Sequence, residues 1–297
     1  MIINNANLTR LAVAVKAAFN TGFRGVTPLW QKVATKVPST TGTEEYAWLG
    51  QFPRLREWIG DRHIKNLEEH GYSIKNKKFE STVGIPKDNI EDDTYGVYNP
   101  MFEEMGHAAA SHPDELVFAL LAAAFSTKCY DGQFFCDTDH PVGNETDGES
   151  SVSNMQAGAS APWFLLDVSR PLKPLIFQSR KDYDLVAMTK ADDETVFMRD
   201  MFRYGVDARC NVGFGFWQQA FGSKAALDAA NFGAAFAAME GFKSDEGRPL
   251  RIKPNLLVCG PSNRAAAQAL IGTKTLAGGG DNPNYQAVEI LVVPELG

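Results

Sequence analysis

The chain has 297 residues, of which 44% are hydrophobic and 11% are aromatic. This content allows a buried core and excludes a disordered chain, and the length is typical of about two domains. The formal net charge is -7, whereas a protein that binds nucleic acid tightly over its whole surface usually carries a basic excess.

No segment predicts membrane insertion or export. No window approaches about 18 consecutive apolar residues, the length of a transmembrane helix. Residues 1–25 begin with polar side chains and continue as an amphipathic helix, without the cationic leader and cleavage site of a signal peptide. The four cysteines form no C-x-x-C pair and are too few for a disulfide framework. We therefore expect a cytoplasmic protein with reduced thiols.

The first 78 residues predict a helix followed by an extended segment. Leu8, Leu11, Val15 and Phe19 recur at helical spacing. Residues 44–78 mix both charge signs with aromatic side chains but show no period that would bury one face in a local core. This pattern favours an arm or long hairpin whose aromatic side chains are buried by something outside the segment. An irregular subdomain that closes on its own aromatic side chains is the alternative.

The remaining chain alternates between predicted strands and helices. The stretch "FESTVGIP" (79–86) alternates as a strand does, and residues 100–127 give the strongest helical pattern, with a kink or a break expected at Pro113. Stretches rich in aromatic and β-branched residues within 162–222 predict long strands. After Gly222 the pattern becomes α/β, so we place a domain limit there.

The segment "CYDGQFFCDTDHPVG" contains the densest set of residues that could carry chemistry. A zinc site of Cys136, Asp137, Asp139 and His140 would crowd neighbouring residues into one coordination shell. Structural zinc sites instead space their ligand pairs and draw the second pair from elsewhere in the chain. The spacing therefore disfavours a metal site.

A second interpretation of the segment is catalytic, with Cys129 or Cys136 as the nucleophile and His140 as its base. A catalytic partner usually comes from distant sequence, and the segment is more typical of an exit from the preceding helix. In that interpretation Gly132 permits the turn, Asp137 and Asp139 accept amide hydrogen bonds, and Pro141 fixes the bend. We therefore assign no catalytic, cofactor-binding or metal-binding residue. The stretch "GFGFW" (213–217) indicates close backbone packing within a strand.

Several long motifs, taken in order, resemble the major head subunits of phage Mu-like viruses and prophages, the gpT family. The motifs are "TEEYAWLGQFPRLREWIGDRHI", "GYSIKNKKFESTVGIPKDNIEDD", "PMFEEMGHAAASHPDELVFALL", "CYDGQFFCDTDHPV", "WFLLDVSRPLKPLIFQ", "YGVDARCNVGFGFWQQAFG" and "DEGRPLRIKPNLLV". They cover nearly the whole chain. The resemblance implies an α+β fold of the Hong Kong 97 type and the role of a major capsid protein.

The resemblance also implies a domain layout. It maps the chain as N-terminal arm 1–39, extended loop 40–78, peripheral domain 79–222 with spine helix 100–127 and long strands 162–222, and axial domain 223–297. In most relatives of the fold the axial domain precedes the closing strands, so either the two segments are exchanged here or the assignment of one of them is wrong. If they are exchanged, Gly297 should lie near Pro162.

The extended loop holds the residues that we expect to contact neighbouring subunits, because interfaces favour aromatic side chains and arginine. They are Trp48, Phe52, Arg54, Arg56 and Trp58. The family implies self-association through hexamers and pentamers into an icosahedral shell around double-stranded DNA. It also implies scaffold, portal and decoration partners, no cofactor, no membrane contact, no sequence-specific DNA binding, and assembly in the host bacterial cytoplasm.

Two alternative functions stay open at this point. One is an encapsulin-like compartment of the same fold that holds protein cargo. The other is a metal-dependent hydrolase that uses Cys136, Asp139 and His140.

Overall fold

The computed structural model describes residues 5–46, 49, 71–92, 96–144, 148–190, 192–276 and 278–297. The α-helices within them are α1 (Asn5–Gly25), α2 (Trp30–Val33), α3 (Lys87–Asp92), α4 (Asn99–Ala122), α5 (Glu194–Arg199), α6 (Ala229–Glu240) and α7 (Arg264–Ala267). The strands are β1 (Ala34–Pro38), β2 (Thr43–Glu45), β3 (Ser73–Lys75), β4 (Lys77–Pro86), β5 (His140–Asn144), β6 (Gly148–Val152), β7 (Met155–Gln156), β8 (Trp163–Leu166), β9 (Leu175–Met188), β10 (Met201–Phe214), β11 (Ala220–Ser223), β12 (Leu256–Cys259) and β13 (Glu289–Val292). No helix in this part of the chain combines the length and the apolar character needed to cross a bilayer.

The first sheet has four strands in the order β1-β9-β10-β4. Strands β9 and β10 each contain 14 residues and pair antiparallel as a long ribbon. Strand β4 runs antiparallel along β10, and β1 pairs parallel with β9. Side chains alternate between buried and half-buried from Phe202 to Cys210, because one face of the sheet packs against helices. The strand predicted at 79–86 is confirmed as the C-terminal part of β4.

Helix α4 contacts the first sheet through β9 and β10 and reaches the C-terminal turn Pro294–Leu296. The predicted helix over 100–127 is therefore present, although it ends at Ala122 and continues as turns. Pro113 lies within this single helix and does not divide it in two. The carboxylate of Asp114 accepts the N–H groups of Leu29 and Trp30 at 3.1 and 2.6 Å. It thereby satisfies amides at the start of α2 that have no partner within that helix.

The second sheet has five strands in the order β13-β12-β8-β11-β7. Every residue of its three central strands is buried. Strand β8 pairs antiparallel with both β11 and β12, so strands from both sides of the predicted limit at Gly222 share one sheet. That limit falls inside β11, and the sheet continues across it. Aromatic and β-branched enrichment over 162–222 indicates strands, but it carries no information about which sheet each strand joins.

The C-terminal residue lies close to the start of β8. A Cβ at Gly297 would stand 3.4 Å from Cδ of Pro261, and Asn263 of the same turn donates its Nδ2–H to the carbonyl of Ala161 at 2.9 Å. Gly297 and Pro162 are therefore neighbours across one turn, which is the proximity expected if the axial and closing segments are exchanged in order.

Helix α1 packs against α4 closely enough to exclude side chains at two glycines. A Cβ at Gly106 would lie 2.0 Å from the carbonyl oxygen of Phe19, and one at Gly22 would lie 1.8 Å from the carbonyl oxygen of Glu103. Real Cβ atoms do not approach backbone oxygens so closely, so any larger residue forces the two helices apart.

We expect Gly106→Ala to lower the free energy of unfolding by about 1–3 kcal/mol, because α1 and α4 must separate to admit the methyl group. Gly233→Ala is the matched control, since Gly233 is exposed within α6 and a Cβ there meets nothing within 4 Å. That change should raise stability by about 0.5–1 kcal/mol. Urea unfolding measures the free energy of unfolding of both variants. If the two substitutions changed it equally, the close packing at Gly106 would be contradicted.

Candidate functional site

Strands β2 and β3 form the base of the predicted extended loop. They pair antiparallel with Thr43 opposite Lys75, Glu44 opposite Ile74 and Glu45 opposite Ser73. Of the chain between the base strands, the structure describes only Tyr46, Leu49, Gly71 and Tyr72, and Leu49 is buried. The five predicted contacts, Trp48, Phe52, Arg54, Arg56 and Trp58, lie outside the described residues.

A buried hydrogen-bond network joins both sides of this base to β9. The hydroxyl of Tyr46 donates to Oε1 of Gln178 at 2.8 Å. Nε2 of Gln178 donates to the carbonyl of Ile74 at 3.0 Å and to Oδ1 of Asn76 at 2.9 Å. Asn76 in turn donates to Oγ of Ser39 at 2.7 Å. Burial, with a smaller contribution from the charge of Glu44, raises the pKa of Tyr46 to about 12, so the phenol stays a donor at neutral pH.

The base also packs directly against β10. The N–H of Phe214 donates to the hydroxyl of Tyr72 at 2.7 Å. A Cβ at Gly213 would lie 2.2 Å from Cδ1 of Ile74 and 2.9 Å from that hydroxyl. The close backbone packing predicted for "GFGFW" is therefore confirmed, and a larger residue at Gly213 would displace the loop base.

Glu44 holds the turn that leads into β2. One oxygen of its carboxylate accepts the N–H groups of Thr40 and Thr41, at 2.7 and 2.9 Å, and the hydroxyl of Ser39 at 2.9 Å. These bonds, led by the one from Thr41, lower the pKa of Glu44 to about 2. The side chain stabilises the turn only while it is ionised.

A second exposed feature lies at the far end of the β9–β10 ribbon. Phe197 and Met198 of α5 are 80% and 71% exposed. Val186 and Met188 of β9 are also large apolar side chains exposed at this end. The sequence analysis missed this patch, because α5 is a short element and its two apolar residues carry no periodic signal. A contiguous apolar patch usually marks a contact surface, and Phe197 and Met198, which are adjacent in the chain, are the candidates for one here.

The segment after α4 forms the predicted helix exit. Gly132 has a φ of 86°, a left-handed conformation that favours glycine. Asp137 accepts the N–H groups of Phe134 and Thr138 at 3.1 and 2.8 Å. The structure does not assemble the alternative hydrolase site, because Asp139 is exposed whereas Cys136 and His140 are buried.

His140 instead meets two residues that the sequence analysis did not select as its partners. Its Nδ1 lies 2.7 Å from Oδ2 of Asp131, and its Nε2 lies 3.2 Å from Oδ1 of Asn154. The thiol of Cys129 contacts Oδ1 of Asp131 at 3.0 Å. The imidazole ring stacks on Trp217 with centroids 4.0 Å apart. The sequence could have indicated these partners, because Cys129 and Asp131 are spaced two positions apart upstream of His140. The denser run of candidate residues from Cys136 to His140 drew attention away from them.

Burial sets the pKa values of the two thiols in this segment, whereas contacts within the cluster decide that of Asp131. It raises the pKa of the Cys129 thiol well above its usual range, and the neighbouring charge of Asp131 raises it further. Burial also raises the pKa of Asp131, but the hydrogen bonds from His140, Cys129 and the backbone of Gln133, with the charge of His140, leave that pKa lowered. Burial raises the pKa of the Cys136 thiol as well. Neither thiol in this segment is therefore an activated nucleophile in the free chain.

Comparison with known proteins gives a family match over almost the whole chain. Residues 8–296 match the family described as Mu-like prophage major head subunit gpT. The chain belongs to this family. A Mu-like prophage FluMu major head subunit from Haemophilus influenzae is 48% identical over 260 residues, which cover 85% of this chain and 84% of that protein. The major capsid protein of Escherichia phage Mu is 42% identical over 285 residues, covering 94% and 93%.

Solved structures of phage head proteins share the fold of this gpT-family chain. A chain from the procapsid of bacteriophage JBD30 superposes with a TM-score of 0.88 at 50% identity, covering 99% of this chain and all of that one. A chain from the bacteriophage JBD30 capsid gives a TM-score of 0.79 at 37% identity with complete coverage of both. The predicted α+β capsid fold of the Hong Kong 97 type is thereby confirmed.

For this head subunit we expect Gln178→Leu to lower the free energy of unfolding by about 2–4 kcal/mol, because it leaves the Tyr46 hydroxyl and the Asn76 amide oxygen buried without this partner. Tyr46→Phe removes only one of the bonds and should cost about 1–2 kcal/mol. Gln31→Leu, at an exposed position in α2, should change stability by less than about 0.5 kcal/mol. Chemical denaturation of the unassembled subunit ranks the three, and a Gln178 variant as stable as the Gln31 variant would refute the anchoring role.

We expect the stabilisation from Glu44 to depend on pH. Its folded pKa of about 2 lies below its ordinary value of 4.5, so the contribution is complete above pH 4.5 and is lost as the pH falls toward 2. Thermal unfolding of the wild-type chain and Glu44→Gln at a series of pH values measures it. The two melting temperatures should converge on acidification, and a constant difference would contradict the assignment.

Proposed function

We propose that copies of this chain assemble through hexamers and pentamers into the icosahedral shell of a phage head that encloses double-stranded DNA. The observation that carries the proposal is the similarity to the JBD30 procapsid chain, which combines 50% identity with a TM-score of 0.88. We infer from this similarity that the chain shares the shell-forming role together with the fold.

Within this proposal the two sheets correspond to the two domains of the subunit. The first sheet with α4 is the peripheral domain, and the second sheet is the axial domain. Residues 1–39 form the N-terminal arm and residues 40–78 the extended loop. The pairing of β8 with β11 and β12 supports assigning Trp163–Leu166 and Ala220–Ser223 to the axial domain.

The extended loop is the proposed main contact with neighbouring subunits. Trp48, Phe52, Arg54, Arg56 and Trp58 supply side chains that interfaces favour. The Gln178 network supports this role, because a fixed base reduces the conformational freedom that the loop loses on binding a neighbour. The patch at Phe197 and Met198 offers a second contact surface. Several modest contacts suffice, since a subunit in a closed shell must break them together in order to leave.

Further partners and the location follow from the same proposal. The solved capsid described as decorated with minor capsid protein trimers belongs to bacteriophage JBD30, and we propose a decoration protein here in addition to scaffold and portal proteins. The subunit assembles in the host cytoplasm, becomes part of the virion and has no catalytic role. The net charge of -7 is consistent with a wall that contains DNA without binding it strongly.

Electron microscopy of the purified chain, alone and coexpressed with its scaffold protein, tests this function. We expect closed shells, or rings of subunits as assembly intermediates. A chain that stays strictly monomeric under both conditions would contradict the proposal.

Two tryptophan variants test whether the loop binds neighbours or its own subunit. Trp58→Ala should abolish shells while changing the free energy of unfolding of the unassembled subunit by less than about 0.5 kcal/mol. Trp30→Ala is the matched control, because Trp30 is buried within its own chain with its ring 4.7 Å from that of Phe177. It should cost the isolated subunit about 3–5 kcal/mol. Equal losses of subunit stability would show that Trp58 is buried in its own molecule.

A further inference from the structure

Three side chains of the helix exit converge on one buried point. Ligand atoms of Cys129, Asp131 and His140 all lie within 4.8 Å of one another. The side chains of His140 and Asp131 are 0% and 7% exposed, and Cys129 is buried. A sulfur, a carboxylate and an imidazole nitrogen are a ligand set that Zn²⁺ accepts.

The orientation of His140 is fixed by a neighbour whose own orientation is unambiguous. Oδ1 of Asn154 accepts the backbone N–H of Asp137 at 2.8 Å, and Nδ2 of Asn154 donates to the carbonyl of Phe135 at 2.8 Å. Because these backbone groups have fixed roles, Oδ1 is an acceptor and Nε2 of His140 must donate to it. The lone-pair position of the neutral ring is then Nδ1.

That assignment places Nδ1 opposite a second acceptor, the carboxylate of Asp131. At 2.7 Å the two atoms share a further proton in the metal-free chain, and a cation that replaces this proton would move them slightly apart. Cys129 contacts the other oxygen of the same carboxylate, so sulfur, oxygen and nitrogen face one another around a single point. A metal-bound histidine usually donates its other N–H to a carbonyl or carboxylate that sets the ring plane, and Asn154 occupies this position here.

We propose that Cys129, Asp131 and His140 bind one Zn²⁺ ion through Sγ, a carboxylate oxygen and Nδ1. Binding displaces the thiol proton and the proton between Nδ1 and Asp131, which leave to solvent as the ion enters. One divalent cation replaces two protons, so the net charge of the buried cluster is unchanged. The fourth coordination position is open to water on the side of Asp131, which is half-buried whereas Cys129 and His140 are buried.

The ion would act as a structural cross-link within the subunit. Cys129 and Asp131 belong to the exit from α4, and His140 begins β5. Asn154 extends the connection to the second sheet through its bonds to the carbonyls of Trp217 and Ala220. Zinc binding would therefore tie the end of the long helix to the proposed axial domain, a role separate from the contacts between subunits.

Cobalt substitution tests the site in the full chain. The protein is treated with chelator and reductant, and Co²⁺ is then added as a spectroscopic probe, with Zn²⁺ as competitor. We expect one Co²⁺ per chain, a near-ultraviolet charge-transfer band from thiolate to cobalt, displacement of the ion by Zn²⁺, release of protons on binding, and a higher melting temperature for the loaded chain.

Variants assign the ligands. Cys129→Ser should abolish the charge-transfer band, and Asp131→Asn should weaken binding by roughly tenfold or more. Cys136→Ser is the matched control, since it removes a buried thiol from the same segment and should leave the band and the affinity unchanged. Near-ultraviolet circular dichroism checks the fold of each variant, and the near-isosteric Asp131 variant decides the matter if the Cys129 variant does not fold.

Three results would overturn the proposal. The wild-type chain could bind Co²⁺ without a thiolate band, the band could survive Cys129→Ser, or the band could be lost with Cys136→Ser and retained with Cys129→Ser. Alkylation of the wild-type chain in mild denaturant gives a check that needs no variant. Mass spectrometry should show that Zn²⁺ lowers the labelling of Cys129 more than that of Cys259 in β12, because binding stabilises the whole fold but covers only Cys129 directly. An equal decrease at the two cysteines would also reject the site.

Discussion

The contact between helix α4 and the elements around it is the constraint on which the rest of the subunit depends. Helix α4 packs on β9 and β10, holds the start of α2 through Asp114, and reaches the C-terminal turn beside the second sheet. Its approach to α1 at Gly106 leaves no space for a side chain. Because interiors are close-packed, a displacement of α4 would move the first sheet, the N-terminal helix and the C-terminal turn together. The helix exit that carries Cys129 would move with them.

The long β9–β10 ribbon transmits that constraint to the surface. Gln178 lies near the start of β9 and holds the loop base, whereas α5 with its exposed Phe197 and Met198 joins the far end of the ribbon. The two proposed contact surfaces are therefore set by opposite ends of the same pair of strands. The hydrogen bonds between β9 and β10 thus position both surfaces, whichever of them a neighbouring subunit contacts.

The sequence predicted the elements whose signals are local. The helical period over residues 100–127 and the alternation over 79–86 are properties of single segments, and both elements are present. Sheet membership is a property of distant pairs, so the sequence could not show that β8 pairs with β11 and β12 and not with β9. The "GFGFW" stretch was interpretable because only a glycine tolerates Tyr72 and Ile74 at that distance. The family resemblance rests on long motifs in a fixed order, which is why it predicted the fold without a pairing pattern for the strands.

The cluster at Cys129 shows why site prediction from spacing fails. Adjacent residues such as Asp139 and His140 point to different environments, one exposed and one buried, so closeness in sequence does not give closeness of side chains. The turn at Gly132 reverses the chain and brings Asp131 back to His140, nine positions later. Asn154, which fixes the imidazole, comes from beyond the β5–β6 hairpin. Asn154 belongs to no functional motif, yet it determines which ring nitrogen of His140 is free to bind a ligand.

Buried polar groups in this subunit stabilise its internal arrangement and do not take part in the proposed contacts between subunits. Gln178, Asn154 and Asn76 are buried and bonded within the chain, and leaving any of them unpaired would cost more than their bonds contribute. Such groups specify one arrangement of the strands before any neighbour arrives. The apolar side chains at Phe197 and Met198 act in the opposite sense, since their exposure is unfavourable in the isolated subunit and is relieved only by contact with another molecule. The subunit therefore fixes the arrangement of its strands through internal contacts, and burial of its exposed apolar side chains against another molecule would add stability beyond that of its own core.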